Sequence, residues 1–229
     1  MTPDYPDWAE ATPEGRFTDW LRERAEPAWS AACGHRFTVE IADGSLDAAV
    51  FRRYLVQDYA FIETLATVLG FAVARAPGMV AKKRLTGFLA ALTSDENDYF
   101  LRAFDAVGVG EGERTAPELA PATRDFAELM LAAAEAGTYE DLLAVVVPAE
   151  WVYLTWASEH ADAAPSQLHY REWIELHIDP AFADFVDWLR GELDAIGPNL
   201  TEARRGEVEA RFQRLVALEV AFFDQAYGE

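Results

Sequence analysis

The amino-acid sequence predicts an all-α protein, a bundle of about seven or eight helices. Three observations carry that expectation. Apolar residues recur at i, i+3, i+4 and i+7 along most of the chain, and no segment sustains period-two alternation. Glycine and proline clusters fall where helices would end, as at Pro77-Gly78, Asp179-Pro180 and Gly197-Pro198. With 51% of its 229 residues hydrophobic and no repeat or low-complexity block, the chain is large enough for one well-packed domain spanning residues 1–229.

The elements follow in order. After a loose, proline-containing start, a helix is expected from about Glu14 to Ala32, burying Phe17, Trp20 and Leu21. Gly34 to Gly44 reads as a short connection. Ser45 then reads as the N-cap of a long helix reaching Ala76, stopped by Pro77-Gly78. A further helical region covers Met79 to Val107, with an interruption near Thr93-Ser94. Val107 to Pro121, rich in Gly, Glu and Pro, is the longest expected loop. Periodicity resumes from Ala122 to Ala136 and stops at Gly137. Thr138 caps a helix that continues through Pro148 to Ala161, the proline removing one backbone donor and freeing a carbonyl a turn earlier. A helix from Gln167 to Ile178 leads through Asp179-Pro180 into another that ends near Gly197-Pro198. The last runs from Thr201 to Ala226.

Charge narrows the choice of partners. Forty acidic residues stand against nineteen basic ones, a formal net charge of -21. Such a surface repels nucleic acid and anionic membranes, so neither is an expected partner. The acidity has two readings: a halophilic source, or a genome biased towards Arg, Ala, Asp and Glu. The first is favoured, because salt would screen the self-repulsion. An acidic, polar N-terminus unlike a signal peptide, and no apolar run judged to approach membrane-spanning length, lead to a cytoplasmic expectation. A single cysteine, Cys33, rules out an internal disulfide and any multi-cysteine metal site.

The most informative residues are three acids placed where leucine would be expected. Asp58 interrupts the stripe Phe51, Tyr54, Leu55, Phe61, Ile62 and Leu65. Glu150 interrupts Leu142, Leu143, Val146, Val147, Tyr153 and Leu154, and Glu219 interrupts Phe212, Leu215, Val216, Phe222 and Phe223. Burying an unpaired carboxylate costs several kcal/mol or shifts its pKa. Each acid alone could be paired with an arginine or tyrosine. Three on three helix faces point instead to a shared internal site for a nitrogen-rich or cationic ligand. His177 belongs to a fourth face with Tyr170, Trp173 and Ile174, as a core histidine or a site residue. None of the four histidines follows a glutamate by three residues, so the Glu-x-x-His pairs of di-iron bundles are missing and no metal or other cofactor is expected.

Several runs together resemble the TenA family, the thiaminase II-like proteins. They are Phe51-Arg-Arg-Tyr-Leu-Val-Gln-Asp58-Tyr, His35-Arg-Phe37 followed by Ile41-Ala-Asp-Gly44-Ser-Leu46, Gly137-Thr-Tyr139 through Pro148 to Tyr153, Tyr170-Arg-Glu-Trp173-Ile174, and Glu219 with Phe222-Phe223. The resemblance implies a haem-oxygenase-like fold that binds no haem, a pocket for a 4-amino-2-methylpyrimidine ring, hydrolytic C–N cleavage in thiamin salvage, and a homodimer or homotetramer. Carried over by position, it makes Asp58 the acid that holds the pyrimidine edge and Glu219 the catalytic glutamate. Tyr153 lines the pocket, and Phe126 and His177 fall at common tyrosine positions. Phe61, Phe126, Tyr153 and Phe222 would sandwich the ring, with Glu150 as partner to Glu219.

One departure matters. Many members have Pro-Cys where this chain has Pro148-Ala149, so the family's thiolate is missing. The resemblance then points to the cysteine-lacking branch, linked to hydrolysis of aminomethylpyrimidine and its N-formyl derivative, and makes thiaminase activity doubtful. The alternatives are a non-hydrolytic protein binding an aminopyrimidine or another amine, and a metal-dependent oxidase or relative of the pyrroloquinoline quinone synthesis enzyme on the same scaffold.

Overall fold

A computed structural model of the chain describes residues 2–228. Among them the regular structure is helical throughout, with no strand. The N-terminal region holds four short helices: α1 (Tyr5–Ala11), α2 (Phe17–Arg24), α3 (Ala28–Cys33) and α4 (Arg36–Asp43). Long helix α5 (Ala48–Arg75) follows, then α6 (Met79–Ala91), a π-helical turn at Leu92–Glu96, and α7 (Asn97–Val107). A single turn, α8 (Glu111–Thr115), precedes α9 (Pro121–Ala136), α10 (Tyr139–Glu159), α11 (Leu168–His177) and α12 (Pro180–Ile196). A 3₁₀ turn (Gly197–Asn199) leads into α13 (Glu202–Tyr227).

The long helices match the periodicity, and the short ones account for the differences. The expected helix from Glu14 to Ala32 is two helices, because the chain turns at Ala25–Pro27 and proline has no N–H with which to continue the ladder. Gly34 to Gly44 is largely helix α4 rather than a connection. It buries Phe37, Thr38, Ile41 and Ala42 along one side and ends at Gly44, whose φ of 77° is left-handed. The N-cap of α5 is Asp47, not Ser45. The Asp47 carboxylate accepts the Ala49 N–H at 2.8 Å, whereas the Ser45 N–H is turned back onto Asp43. Leu46, buried between them, fixes that turn through its N–H to the Glu40 carbonyl.

Helix α10 is the axis of the molecule. It packs most extensively on α13 and α12 and also meets α3, α5, α9 and α11. Pro148 sits inside it without ending it, and nearly every residue from Tyr139 to Tyr153 is buried. Helix α5 lies across the opposite side, against α6, α7, α9 and α13. By length and composition α5 could cross a membrane, which corrects the expectation that no apolar run approaches that length. Its apolarity has a packing explanation, since its buried side chains from Val50 to Ala72 belong to the main hydrophobic core. At the far end, α2 lies so close to the turn after α12 that a β-carbon at Gly197 would fall 2.1 Å from the Phe17 ring.

Candidate active site

Each interrupted stripe brings its acid to the interior. Asp58 on α5 is 2% exposed, Glu219 on α13 is 1% exposed and Glu150 on α10 is 7% exposed. Asp58, Phe61, Phe126, Tyr153, Glu219 and Phe222 surround one small, tightly closed internal chamber. Phe61 and Phe126 meet edge to face at 5.3 Å between centroids, and Phe126 meets Phe222 the same way at 5.6 Å. The hydroxyls of Tyr153 and Tyr54 share a 2.9 Å hydrogen bond beside Asp58. Asp58 Oδ2 and Glu219 Oε1 are buried with no hydrogen-bond partner among the described residues.

Two of the expected site residues stand outside that lining. Glu150 faces the same group of charges without bordering the chamber. His177, from the last turn of α11, packs its ring on Tyr153 at 4.9 Å and borders a second, larger cleft. Its Nδ1–H donates to the Trp173 carbonyl at 2.8 Å, and burial pushes its pKa down to about 4, so it is neutral at ordinary pH. Two indole N–H groups close to it, on Trp156 and Trp173, are also buried without an acceptor among the described residues.

No guanidinium or ammonium is paired with Asp58, Glu150 or Glu219 among the described residues, and their proton affinities follow. Burial raises Asp58 to about 7, partly offset by hydrogen bonding from Tyr54. Glu150 rises to about 8 through burial and then the charge on Asp58. Glu219 rises well above the ordinary range through burial and then the charges on Asp58 and Glu150. Close acids in an apolar pocket cannot all ionise, and at neutral pH the group keeps protons.

The sequence reading missed a fourth member. Glu96, at the end of the π-helical turn, is held well above its ordinary pKa by burial and then by the charges on Glu150 and Asp58. In Thr93-Ser94-Asp95-Glu96-Asn97-Asp98 nothing separates Glu96 from its polar neighbours. The one available signal was the broken periodicity there, because a π turn often marks a functional site. Metal chemistry has no obvious seat: no group of three or more His, Cys, Asp or Glu among the described residues is arranged to hold an ion. Cys33 is buried, and burial pushes its thiol up to about 12.

An all-helical bundle thus brings buried acids from three helices to one aromatic-lined interior, with no cation paired to them among the described residues. The chain belongs to the TENA/THI-4/PQQC family, whose model matches residues 22–229. A protein named aminopyrimidine aminohydrolase from Halalkalibacterium halodurans is 29% identical over 215 residues, covering 93% of this chain and 96% of the relative. A protein of the same name from Bacillus subtilis is 23% identical, covering 93% and 90%. Among solved structures, a TenA family transcription regulator from Silicibacter sp. superposes with a TM-score of 0.84 at 23% identity, covering 96% of this chain and all of that one. A TenA homologue from P. horikoshii gives 0.83 at 21% identity, covering 93% of this chain and 99% of that one. At these identities the structural likeness establishes the fold.

Proposed function

We propose that this protein hydrolyses the exocyclic C–N bond of an aminomethyl-substituted 4-aminopyrimidine, with or without an N-formyl group, and releases the hydroxymethylpyrimidine. The observation that carries this reading is the pair of unpartnered carboxyl oxygens, Asp58 Oδ2 and Glu219 Oε1, on residues that line the aromatic-walled chamber. The names of the relatives from H. halodurans and B. subtilis point the same way. A 4-aminopyrimidine edge offers an N–H donor beside a ring-nitrogen acceptor. A carboxyl group that keeps its proton near neutrality offers the complementary acceptor and donor, and Asp58 fills that role. Phe61, Phe126, Tyr153 and Phe222 hold the ring faces.

Glu219 is the acid and base of the step. Water bonds to the methylene carbon as the C–N bond breaks, and Glu219 gives its proton to the departing nitrogen. The carboxylate so formed takes the proton that water loses. For the free amine the balance is amine plus water to alcohol plus ammonia. Glu150 acts by raising the proton affinity of Glu219. Ala149 and the buried Cys33 supply no thiolate for a covalent route. The test is incubation with aminomethylpyrimidine, its N-formyl derivative and thiamin separately, with the products followed by mass spectrometry. Turnover of either amine with thiamin intact is expected. Tight binding of the ring without turnover would make the chamber a receptor site and overturn the hydrolase reading.

The same proposal covers the protein's setting. It works in a cytoplasm, and the net charge of -21 suits one rich in salt, so thermal stability should rise between dilute buffer and molar KCl. An unchanged melting temperature would remove the halophilic reading. Exposed Phe71, Met79 and Val80, near the turn from α5 to α6, support self-association into a dimer or tetramer, to be read by light scattering.

A further inference from the structure

The larger cleft, of about 660 Å³, lies between α6, the π turn and α7 on one side and α11 and α12 on the other. Its apolar wall is aromatic: Phe88 stacks on Phe185 at 4.0 Å between centroids, and Phe182 lies 6.2 Å from Phe88. His177 borders the cleft while its ring rests on Tyr153, which lines the small chamber. With Nδ1–H committed to Trp173, Nε2 of this buried, neutral ring is left as the hydrogen-bond acceptor. Glu96 borders the same cleft and responds to the charges on Glu150 and Asp58 behind it. The two spaces share no lining residue, and the packed rings of His177 and Tyr153 form the partition between them.

The cleft's charge selects its occupant. Asp95, Glu96, Glu172, Glu175 and Asp179 face it against Lys83, Arg84 and Arg102. Arg84 is tied to Asp184 at 2.6 Å and Arg102 lies 3.5 Å from Glu172, so the lining is acidic on balance. A flat apolar body would lie against the phenylalanines, and N–H donors or a positive charge would meet the acids and His177 Nε2.

Resting on the hydrolase reading above, we infer that this cleft is a leaving-group subsite. It receives the nitrogen substituent of N-alkylated aminomethylpyrimidines, and favours substituents with a ring-sized apolar body and a cationic amine. The ring of the substrate stays in the small chamber. The reaction is the same, with a primary amine in place of ammonia as the released product.

The experiment uses three compounds. They are aminomethylpyrimidine, its N-(4-aminomethylbenzyl) derivative, and the corresponding free diamine, 1,4-bis(aminomethyl)benzene. Hydrolysis is followed for the first two and calorimetric binding for the third. Two variants change the cleft away from the chamber: Glu175→Lys, at an exposed rim position, and Phe88→Ala, on the wall. The expected result is that the wild type turns over both substrates and binds the diamine. Glu175→Lys should weaken the diamine and raise KM for the benzyl substrate about fivefold, and Phe88→Ala about tenfold. KM and kcat for aminomethylpyrimidine should stay within twofold of wild type in both variants. Turnover of aminomethylpyrimidine alone, with no binding of the diamine, overturns the subsite and leaves the hydrolase reading in place. Failure to hydrolyse either substrate, with diamine binding still sensitive to both variants, overturns the hydrolase reading and keeps the cleft as an amine site. Diamine binding indifferent to both variants overturns the subsite in every case.

Discussion

Asp141 and Glu150 lie on the same helix, α10, and both are buried, yet they behave in opposite ways. Asp141, in the first turn, accepts the Thr138 N–H at 2.8 Å and meets Arg204 and Arg211 at 3.0 Å each. Burial alone would raise its pKa, but the Thr138 amide and the two guanidiniums overcome that and hold it below the ordinary range. Glu150, in the middle of the helix, has no such partner and rises to about 8. The fold can satisfy a buried acid when that acid stabilises the fold, as Asp141 does by capping α10 and tying it to α13. Glu150, Asp58 and Glu219 have no such cation among the described residues, as the proposed site requires: a neutralised one could not hold a nitrogenous ring or move a proton.

The largest effect that would sharpen this contrast is on Glu219. Glu219→Gln should lower kcat by at least about 10²-fold, the usual contribution of a positioned acid/base, while the melting temperature holds or rises. Unchanged turnover would remove Glu219 from the step. Asp141→Asn should do the reverse. It loses the ion pairs while leaving two guanidiniums that can still reach water, and should cost about 2–3 kcal/mol in urea unfolding with kcat per folded molecule unaltered. A stable Asp141→Asn protein with impaired turnover would erase the distinction.

The next effect is a pH slope. Because the folded pKa of Asp58 lies above its unfolded value, folding favours the protonated form. Its contribution to stability is complete below the unfolded value and is lost as pH rises towards about 7. The ligand-free protein should therefore weaken from mildly acidic to mildly alkaline pH. Asp58→Asn should remove part of that slope and gain about 2 kcal/mol over the wild type at alkaline pH, after allowance for local relaxation. Parallel stability curves for the two proteins would refute the raised proton affinity. The smallest effect belongs to the cap itself: Thr138→Ala should cost about 1 kcal/mol and leave the pH slope untouched. A loss of activity without that loss of stability would place Thr138 in the site.

The same contrast explains how much could be read from the sequence. Asp58, Glu150 and Glu219 were readable because each replaces an apolar residue in a regular 3.6-residue pattern. The pattern alone places them inside, and three of the site's aromatic walls, Phe61, Tyr153 and Phe222, lie within a turn of them. Glu96 was not readable. The π turn inserts an extra residue into the helical repeat, so spacing cannot say which of six consecutive polar side chains turns inward. Helix α4 was hidden for a different reason: eight residues between two glycines resemble a connection until Phe37 and Ile41 are seen to share a buried side. Asp141 illustrates a third limit. Its partners Arg204 and Arg211 come from α13, more than sixty residues away, and only the packing of α10 on α13 brings them together.

Cys33 gives the chemistry a further property. The protein's one thiol is buried on α3, with its pKa pushed up to about 12, and the residue after Pro148 is alanine. A carboxylate does not react with peroxide and does not form mixed disulfides, and a thiol held in its protonated form is a poor target for alkylation. Turnover here should therefore persist through iodoacetamide or millimolar peroxide, conditions that silence a thiolate enzyme. On the proposed carboxylate route, the site would be tolerant of oxidative stress.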